Sequence, residues 1–176
     1  MSRLRRALIV VVIVAAVVLL SVGLLRPARS VGSGAQLGQQ APLFESTDLS
    51  GQPVALKDFR GHRVVLNFWA STCVPCRAEF PVLKRLKAEH PDVIVLGVVF
   101  NDDDGSARQF MASEAATWPG VRDPHLQIAN AYGVHAKPGI PVSVLIDPAG
   151  RVKERRLGPL TDDAAAAAFI GEASVA

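Results

Sequence analysis

The chain has 176 residues and only two cysteines, Cys73 and Cys76, which stand in a C-V-P-C segment. An apolar run over residues 64–69 precedes them and predicts a buried strand. Apolar side chains from Phe80 onward recur at the spacing of one helix face, so the cysteines open a helix. A helix N-terminus carries unpaired N–H groups and a partial positive charge, which favour a thiolate over a thiol. The arrangement predicts a redox-active dithiol, and no other cysteine competes for it.

The N-terminal segment predicts a membrane anchor. Residues 7–25 contain no charged side chain, and a helix of that length spans roughly 28 Å, close to the hydrocarbon core of about 30 Å. We expect residues 1–26 to form a cytoplasmic tip and an uncleaved transmembrane signal anchor, because a cleaved signal peptide has a shorter apolar core of about 7–15 residues. A cleaved signal peptide is the alternative.

Two arguments orient the predicted anchor. Three arginines precede the apolar segment and two follow it, which favours a cytoplasmic N-terminus. A lone disulfide-forming pair behind an export signal suits an oxidising compartment. The prediction is a single-pass protein of the cytoplasmic (inner) membrane with its folded domain on the periplasmic or extracytoplasmic side.

Charge is unevenly distributed along the chain. Residues 1–44 hold five arginines and no acidic residue, which leaves 14 basic and 16 acidic side chains in the remainder, a formal charge of −2. No basic domain remains to bind nucleic acid. Residues 27–41 are rich in Gly, Ser and Gln and predict a flexible tether. Residues 42–176 are long enough for one domain with its own core.

The order of predicted elements defines an α/β domain. A β-hairpin is predicted first, because residues 43–49 and 53–56 flank a Ser-Gly turn. The hairpin is followed by the strand over 64–69 and by a helix from Cys73 to about Glu89. The later elements are a strand over 93–100, a helix over 106–115, a short extended piece over 118–121, a short helix over 126–132, paired strands over 142–147 and 151–157, and a helix over 162–173 with Thr161 as its N-cap. A βαβ unit followed by a hairpin and a helix predicts a central mixed sheet flanked by helices.

Several motifs, taken in order, resemble the thioredoxin family. W-A-x-x-C-x-P-C begins at Trp69, a proline stands five residues beyond the second cysteine, and Ile140-Pro141 precedes a late apolar strand. The motifs G-x-x-A-P, L-S-G-x-x-V-x-L, C-x-P-C-x-x-E-x-P, A-Y-G-V, L-I-D-x-x-G and G-P-L are similar to the membrane-anchored, extracytoplasmic branch that includes the ResA, TlpA and CcmG (DsbE) types. The resemblance spans residues 38–172. It implies a thioredoxin-like fold with an N-terminal β-hairpin extension, and a thiol–disulfide oxidoreductase.

The chain departs from this family pattern in three places. Thr72 stands where many relatives have a tryptophan, and Val142 stands where cytochrome-maturation members usually have a glutamate. Residues 135–139 are extra. The last two departures lie beside the predicted disulfide, so they bear on which partner the protein binds.

The two cysteines are expected to have different roles. Cys73, at the helix N-terminus, should be partly exposed and act as the attacking thiolate, and Cys76, one turn further, should be buried and resolve the mixed disulfide. Val74 and Pro75 between them bring no charge and no side-chain hydrogen bond to the thiolate. Since strong oxidants of this fold stabilise their reduced form, this dipeptide favours a moderate or reducing potential.

Two polar residues are candidates for proton transfer. Glu79 follows Cys76 by three residues and lies on the same helix face, so it could accept the proton of Cys76 or raise the thiol pKa by its charge. The alternative is a surface acid stabilised by the helix dipole. The family match favours the functional role. Asn67 occupies the strand position at which thioredoxin has a buried aspartate that aids proton transfer. Because an asparagine cannot titrate, proton transfer must then depend on water or on Glu79, and the alternative is that Asn67 is simply a hydrogen-bonded polar residue near the helix.

Further residues are predicted to bind the substrate. The resemblance implies a cis bond before Pro141, which would place the backbone of Ile140 beside the disulfide, where a substrate strand can pair. Pro75 and Trp69 complete this set. Trp69 is either a platform next to the active site or simply part of the core, and we favour partial burial with one edge at the surface.

The expected function is the reduction of protein disulfides outside the cytoplasm, with apocytochrome c cysteines as the substrate that the resemblance implies. No cofactor motif is present, so the oxidised pair would need a thiol-type electron donor in the membrane, and we expect a monomer. A disulfide oxidase or isomerase is the alternative within redox chemistry. A copper chaperone of this fold would need C-x-x-x-C and a positioned histidine, and the spacing here is one residue shorter. A zinc site would need two more ligands besides the cysteines, and the four histidines form no H-x(3–5)-H pair. A non-catalytic haem-handling role is a further alternative.

Overall fold

The structure is a computed structural model that describes residues 35–172 of the chain. The predicted anchor and most of the predicted tether lie outside these residues. Within residues 35–172, no helix has the length and apolar character needed to cross a membrane. The last residues of the predicted tether are part of the folded unit, because Gly38 and Ala41 donate backbone hydrogen bonds to Val152 and Gly150. The folded part of the chain therefore begins before Pro42.

The first two strands of the described residues form the predicted β-hairpin. Its strands are β1, Glu45–Thr47, and β2, Pro53–Ala55, which pair antiparallel. A short 3-10 helix, Leu56–Phe59, follows. Backbone hydrogen bonds from Leu49 to Gly120 and from Arg122 to Thr47 attach this hairpin to the rest of the domain.

A five-stranded mixed sheet forms the centre of the domain. Its strands are β3, Arg63–Trp69; β4, Val93–Val99; β5, Gly120–Val121; β6, Val142–Ile146; and β7, Val152–Leu157. The strand order is β5-β4-β3-β6-β7. Strands β3, β4 and β5 run parallel, whereas β6 is antiparallel to both of its neighbours. Strand β3 is the middle strand, and this explains why its sequence is apolar almost throughout.

In the part of the chain that the structure describes, four α-helices accompany the sheet: α1, Val74–Glu89; α2, Asp104–Ser113; α3, Gln127–Ala131; and α4, Asp163–Phe169. The N-caps of α1 and α2 are Cys73 and Asp103. The predicted cap of the last helix is wrong by one residue. Asp162, not Thr161, accepts a hydrogen bond from the backbone N–H of Ala165, and Thr161 instead donates to the Asp162 carboxylate.

The sheet separates two hydrophobic layers, and β3 contributes to both by strict alternation. Val65 and Trp69 pack in the layer that contains the buried side chains of α1. Val64, Leu66 and Phe68 pack in the layer on the other side. Since successive strand residues point to opposite faces, Asn67 lies on the same face as Trp69, towards α1. The sequence thus places one polar side chain in the layer beneath the C-V-P-C helix.

Candidate active site

The C-V-P-C segment lies where β3 ends and α1 begins. Cys73 and Cys76 are joined in a disulfide with an S–S distance of 1.98 Å. The Cys73 Sγ also accepts a hydrogen bond from the Cys76 backbone N–H, at 3.2 Å, so a sulfur atom caps the helix. Pro75 fits in the first turn, where its missing N–H would have no helical partner. The helix start therefore places a sulfur at a site of positive potential.

The two sulfurs have the predicted difference in exposure. Cys73 is half-buried, whereas Cys76 is fully buried in the layer beneath α1. Val74 and Pro75 between them are exposed, and 79% of Val74 is accessible. A partner protein can therefore reach Cys73, while Cys76 can be reached only from within the molecule.

The segment before β6 brings a backbone carbonyl to the disulfide. The Ile140 carbonyl oxygen lies 3.8 Å from the Cys73 Sγ. The Ile140–Pro141 bond is cis, as the resemblance implies, and Pro141 is buried. The Pro141 carbonyl accepts a hydrogen bond from the Gly158 N–H at 3.0 Å, which ties this segment to the end of β7. The prediction that the Ile140 backbone lies beside the disulfide is confirmed. That a substrate strand pairs with this backbone stays a prediction.

Glu79 is a buried acid. It is fully inaccessible to solvent, so the alternative of a surface acid is wrong. Its Oε1 accepts from the Leu160 backbone N–H at 2.9 Å, and its Oε2 accepts from the Asn67 Nδ2 at 2.8 Å. Burial raises the pKa of Glu79, and these hydrogen bonds together with the charge of Arg156 oppose that rise without cancelling it. A carboxyl with a raised pKa one helical turn after Cys76 is suited to proton exchange with that thiol.

Asn67 connects Glu79 to a residue that the sequence analysis missed. The Asn67 Nδ2 donates both to Glu79 and to the Ser143 Oγ, the latter at 3.0 Å, and all three side chains are fully buried. The Asn67 Oδ1 is buried without a hydrogen-bond partner. Ser143 is the one polar residue in the strand Val142–Ile146, and this interruption of an apolar run was the signal that could have identified it.

The prediction for Trp69 is wrong. Its side chain is fully buried and offers no edge at the surface. Its ring lies 5.0 Å from the Phe110 ring and 5.2 Å from the Phe80 ring, centroid to centroid. The reason is that Trp69 is the last residue of the central strand and α1 and α2 cover it. Trp69 therefore supports the active-site helix from below and cannot act as a platform for a substrate.

Two further polar segments, residues 102–104 and 135–139, are at least partly exposed to solvent. His135 and Lys137 are exposed in the segment before Ile140. Asp103 caps α2 by accepting from the Ser106 N–H at 2.9 Å, so the acidic residues 102–104 belong to the turn between β4 and α2. Among residues 35–172, no group of three or more His, Cys, Asp or Glu side chains could hold a metal ion.

The fold and the site together define a thioredoxin-like protein, in which a C-x-x-C disulfide at a helix N-terminus faces a cis-proline segment. Residues 37–155 match the family model described as the AhpC/TSA family. The chain therefore belongs to this thioredoxin-like family.

Similar proteins narrow the class. The chain is 34% identical over 130 residues, 73% of either chain, to the thiol-disulfide oxidoreductase ResA of Bacillus thuringiensis (strain Al Hakam). A crystal structure from Chlorobium tepidum, assigned as the thiol:disulfide interchange protein DsbE, matches with a TM-score of 0.66 and 34% identity over 72% of this chain and 88% of that one. A secreted Mycobacterium tuberculosis disulfide oxidoreductase homologous to E. coli DsbE matches with a TM-score of 0.62 and 26% identity over 71% of this chain and 95% of that one. The protein is thus a thiol–disulfide oxidoreductase of the ResA/DsbE type.

Proposed function

We propose that this protein reduces disulfides in other proteins outside the cytoplasm, and that its substrates are the haem-site cysteines of apocytochromes c. The observation that supports the proposal most is the position of the Cys73 sulfur. It is accessible, it lies beside the Ile140 carbonyl, and a buried second thiol stands behind it. A substrate strand that pairs with the backbone at Ile140 would bring its own disulfide against Cys73.

The reaction proceeds in two exchanges. In the reduced protein, the Cys73 thiolate attacks one sulfur of the substrate disulfide, forms a mixed disulfide and releases the other substrate sulfur as a thiolate. Cys76 then transfers its proton to the Glu79 carboxylate and attacks the Cys73 sulfur. The second substrate sulfur leaves as a thiolate, and the Cys73–Cys76 disulfide holds the oxidising equivalents. A dithiol of a membrane protein then restores the Cys73–Cys76 dithiol by the same two kinds of exchange, gives up its two protons and two electrons, and is itself oxidised to a disulfide.

The surroundings of Cys73 support the reducing direction. A strongly oxidising protein of this class stabilises its reduced form. The Val74 and Pro75 side chains carry no charge, and the Cys73 sulfur has one backbone donor, from Cys76, and one carbonyl oxygen, from Ile140, as neighbours. A carbonyl dipole that points its oxygen at the sulfur opposes a negative charge there. The Val74 and Pro75 side chains therefore add nothing to the stabilisation of the Cys73 thiolate by the helix N-terminus.

We also propose that the domain works on the periplasmic or extracytoplasmic face, held by residues 7–25 as a transmembrane anchor. The apolar length of that segment supports this placement. A fusion of alkaline phosphatase to the C-terminus tests it, because the phosphatase is active only after export. An inactive, stably produced fusion would contradict the proposed placement.

The direction of the reaction is tested by the reduction potential of the Cys73–Cys76 pair, measured by thiol trapping in glutathione or dithiothreitol buffers. We expect a value near or below about −230 mV, towards the thioredoxin end of the scale. A value near about −120 mV, typical of a strong oxidant, would show that the protein donates disulfides.

Substrate class is tested by trapping the mixed disulfide. Cys76→Ser should accumulate a mixed disulfide with an oxidised C-x-x-C-H peptide from a cytochrome c, because no resolving thiol remains. Cys73→Ser is the matched control and should trap nothing, since the remaining thiol is buried. Equal trapping of an unrelated oxidised C-x-x-C peptide would contradict a preference for apocytochromes.

A further inference from the structure

A row of polar side chains crosses the sheet beneath the C-V-P-C helix. Asn67 of β3 pairs in register with Ser143 of β6, and Ser143 pairs in register with Arg156 of β7. Directly paired residues on neighbouring strands project to the same face. Asn67 and Ser143 are fully buried, whereas Arg156 is half-buried on the last strand of the sheet. The row therefore runs from the centre of the domain to its edge.

Glu79 lies over the inner end of this row. Its carboxylate takes one of the two Asn67 amide hydrogens at 2.8 Å, and the other amide hydrogen is directed to Ser143 at 3.0 Å. Both N–H groups of the Asn67 amide thus donate hydrogen bonds, and these two bonds hold the amide in the orientation that points a donor at the Glu79 carboxylate. Neither Asn67 nor Ser143 titrates, so they cannot compensate the charge of Glu79.

Arg156 provides the compensating charge, and it acts on Glu79 in two ways. Its positive charge lowers the pKa of Glu79 against the effect of burial. Its Nε also donates to the Pro159 carbonyl at 3.3 Å, and the next residue, Leu160, donates its N–H to Glu79. The exposed Asp162 is a second acid under the influence of Arg156. Cys76, one turn earlier on the same helix, is also fully buried in the layer beneath α1.

We propose that Arg156 is a positioning residue for the redox reaction: it sets how tightly Glu79 holds a proton, and hence the pH range in which the Cys73–Cys76 pair exchanges with substrate. The proposal rests on the proposed function, in which Glu79 receives the proton of Cys76. The contacts of the Cys73 sulfur are with Cys76 and Ile140, whereas Arg156 contacts the Pro159 carbonyl. It acts through its charge and through the backbone at Pro159 and Leu160.

The test compares three variants of the complete protein. Arg156→Gln removes the charge, and Arg156→Lys keeps a cation at the same position. Lys153→Gln is the matched control, because it removes one positive charge from the same strand at an exposed position. Two quantities are measured for each: the proton affinity of Glu79, by NMR titration of a 13C-labelled carboxyl in the oxidised protein, and the pH profile of disulfide reduction.

We expect Arg156→Gln to raise the proton affinity of Glu79 by more than about twofold, because it removes a positive charge that opposes the effect of burial. The pH profile of disulfide reduction should move to higher pH by the same factor. Arg156→Lys should restore most of both quantities, and Lys153→Gln should leave the affinity within about twofold, since exposed charges are screened.

Two results would overturn the proposal. One is a Glu79 titration that Arg156→Gln shifts no more than Lys153→Gln does. The other is a shifted titration with an unshifted pH profile. Failure of the proposed function has a different signature, because a wild-type protein that reduces no disulfide at any pH would show it before any variant is compared.

Discussion

The burial of Glu79 makes the stability of the protein depend on pH in an unusual direction. Burial raises the pKa of Glu79 above its ordinary value of 4.5. As the pH rises, the unfolded chain therefore releases this proton first, and the native state binds one proton more than the unfolded state. The free energy of unfolding then falls as the pH rises between the unfolded and folded pKa values of Glu79, and it levels off above the folded value.

We predict that Glu79→Gln abolishes this dependence. One proton is involved, so the slope that the variant loses is at most about 1.4 kcal/mol per pH unit. Glutamine keeps the shape of the side chain and one oxygen for the Leu160 N–H. The new NH2 group of the glutamine would face the NH2 group of Asn67, and two donors cannot bond to each other. Rotation of the Asn67 amide by half a turn would instead point its Oδ1 atom, which has no partner in the wild type, at the glutamine NH2 group. The fold should therefore tolerate the change.

The assay is urea denaturation of the oxidised wild type and the Glu79→Gln variant at a series of pH values from acid to neutral. Several other carboxyls, such as Asp48 and Asp103, have lowered pKa values and give the opposite slope. They are common to both proteins, so the difference in unfolding free energy isolates Glu79. We expect this difference to move in favour of the Glu79→Gln variant as the pH rises. A difference that is constant with pH, or that moves towards the wild type, would refute a raised pKa for Glu79.

Three further predictions concern the packing beneath the site and the cap of α4. Phe80→Ala should lower the free energy of unfolding by about 3–5 kcal/mol in urea denaturation, because the ring is fully buried between aromatic neighbours; a loss below that of an ordinary surface change would contradict this account. Gly97→Ala should cost about 1–3 kcal/mol and change the tryptophan fluorescence, because its Cβ would lie 2.6 Å from the Trp69 Nε1; an unchanged midpoint would show that the indole moves freely. Asp162→Ala should lower the thermal midpoint more than Thr161→Ala does, since Asp162 caps α4, and the reverse order would restore Thr161 as the cap.

The chemistry of the site was largely predictable because it depends on local sequence. The spacing of Cys73 and Cys76, and the apolar run before them, already required a strand that delivers two thiols to a helix start. The difference in exposure between the two sulfurs follows from their positions in the first turn of that helix. The proximity of Ile140 to Cys73 is a contact between distant parts of the chain, and only the family resemblance predicted it.

The misjudged residues are those whose environment depends on neighbours far away in the chain. Trp69 is a large amphipathic residue at a strand end, and its sequence context fits a surface edge as well as a buried position. Helix α2, which lies more than thirty residues later, covers it. Ser143 was overlooked for a similar reason, because a single serine in an apolar strand has no visible partner until β3 is placed beside β6.

The sequence by itself determined the dithiol, the order of the elements and the side of the central strand on which Asn67 lies, since these follow from spacing and from the two-residue period of a strand. The tertiary structure decided that Glu79 is buried, and that Asn67, Ser143 and Arg156 form one row beneath it. The physical reason is strand register. It is set by the packing of the whole sheet, and it alone brings residues 67, 143 and 156 into line, where they determine the proton affinity of an acid on a helix above them.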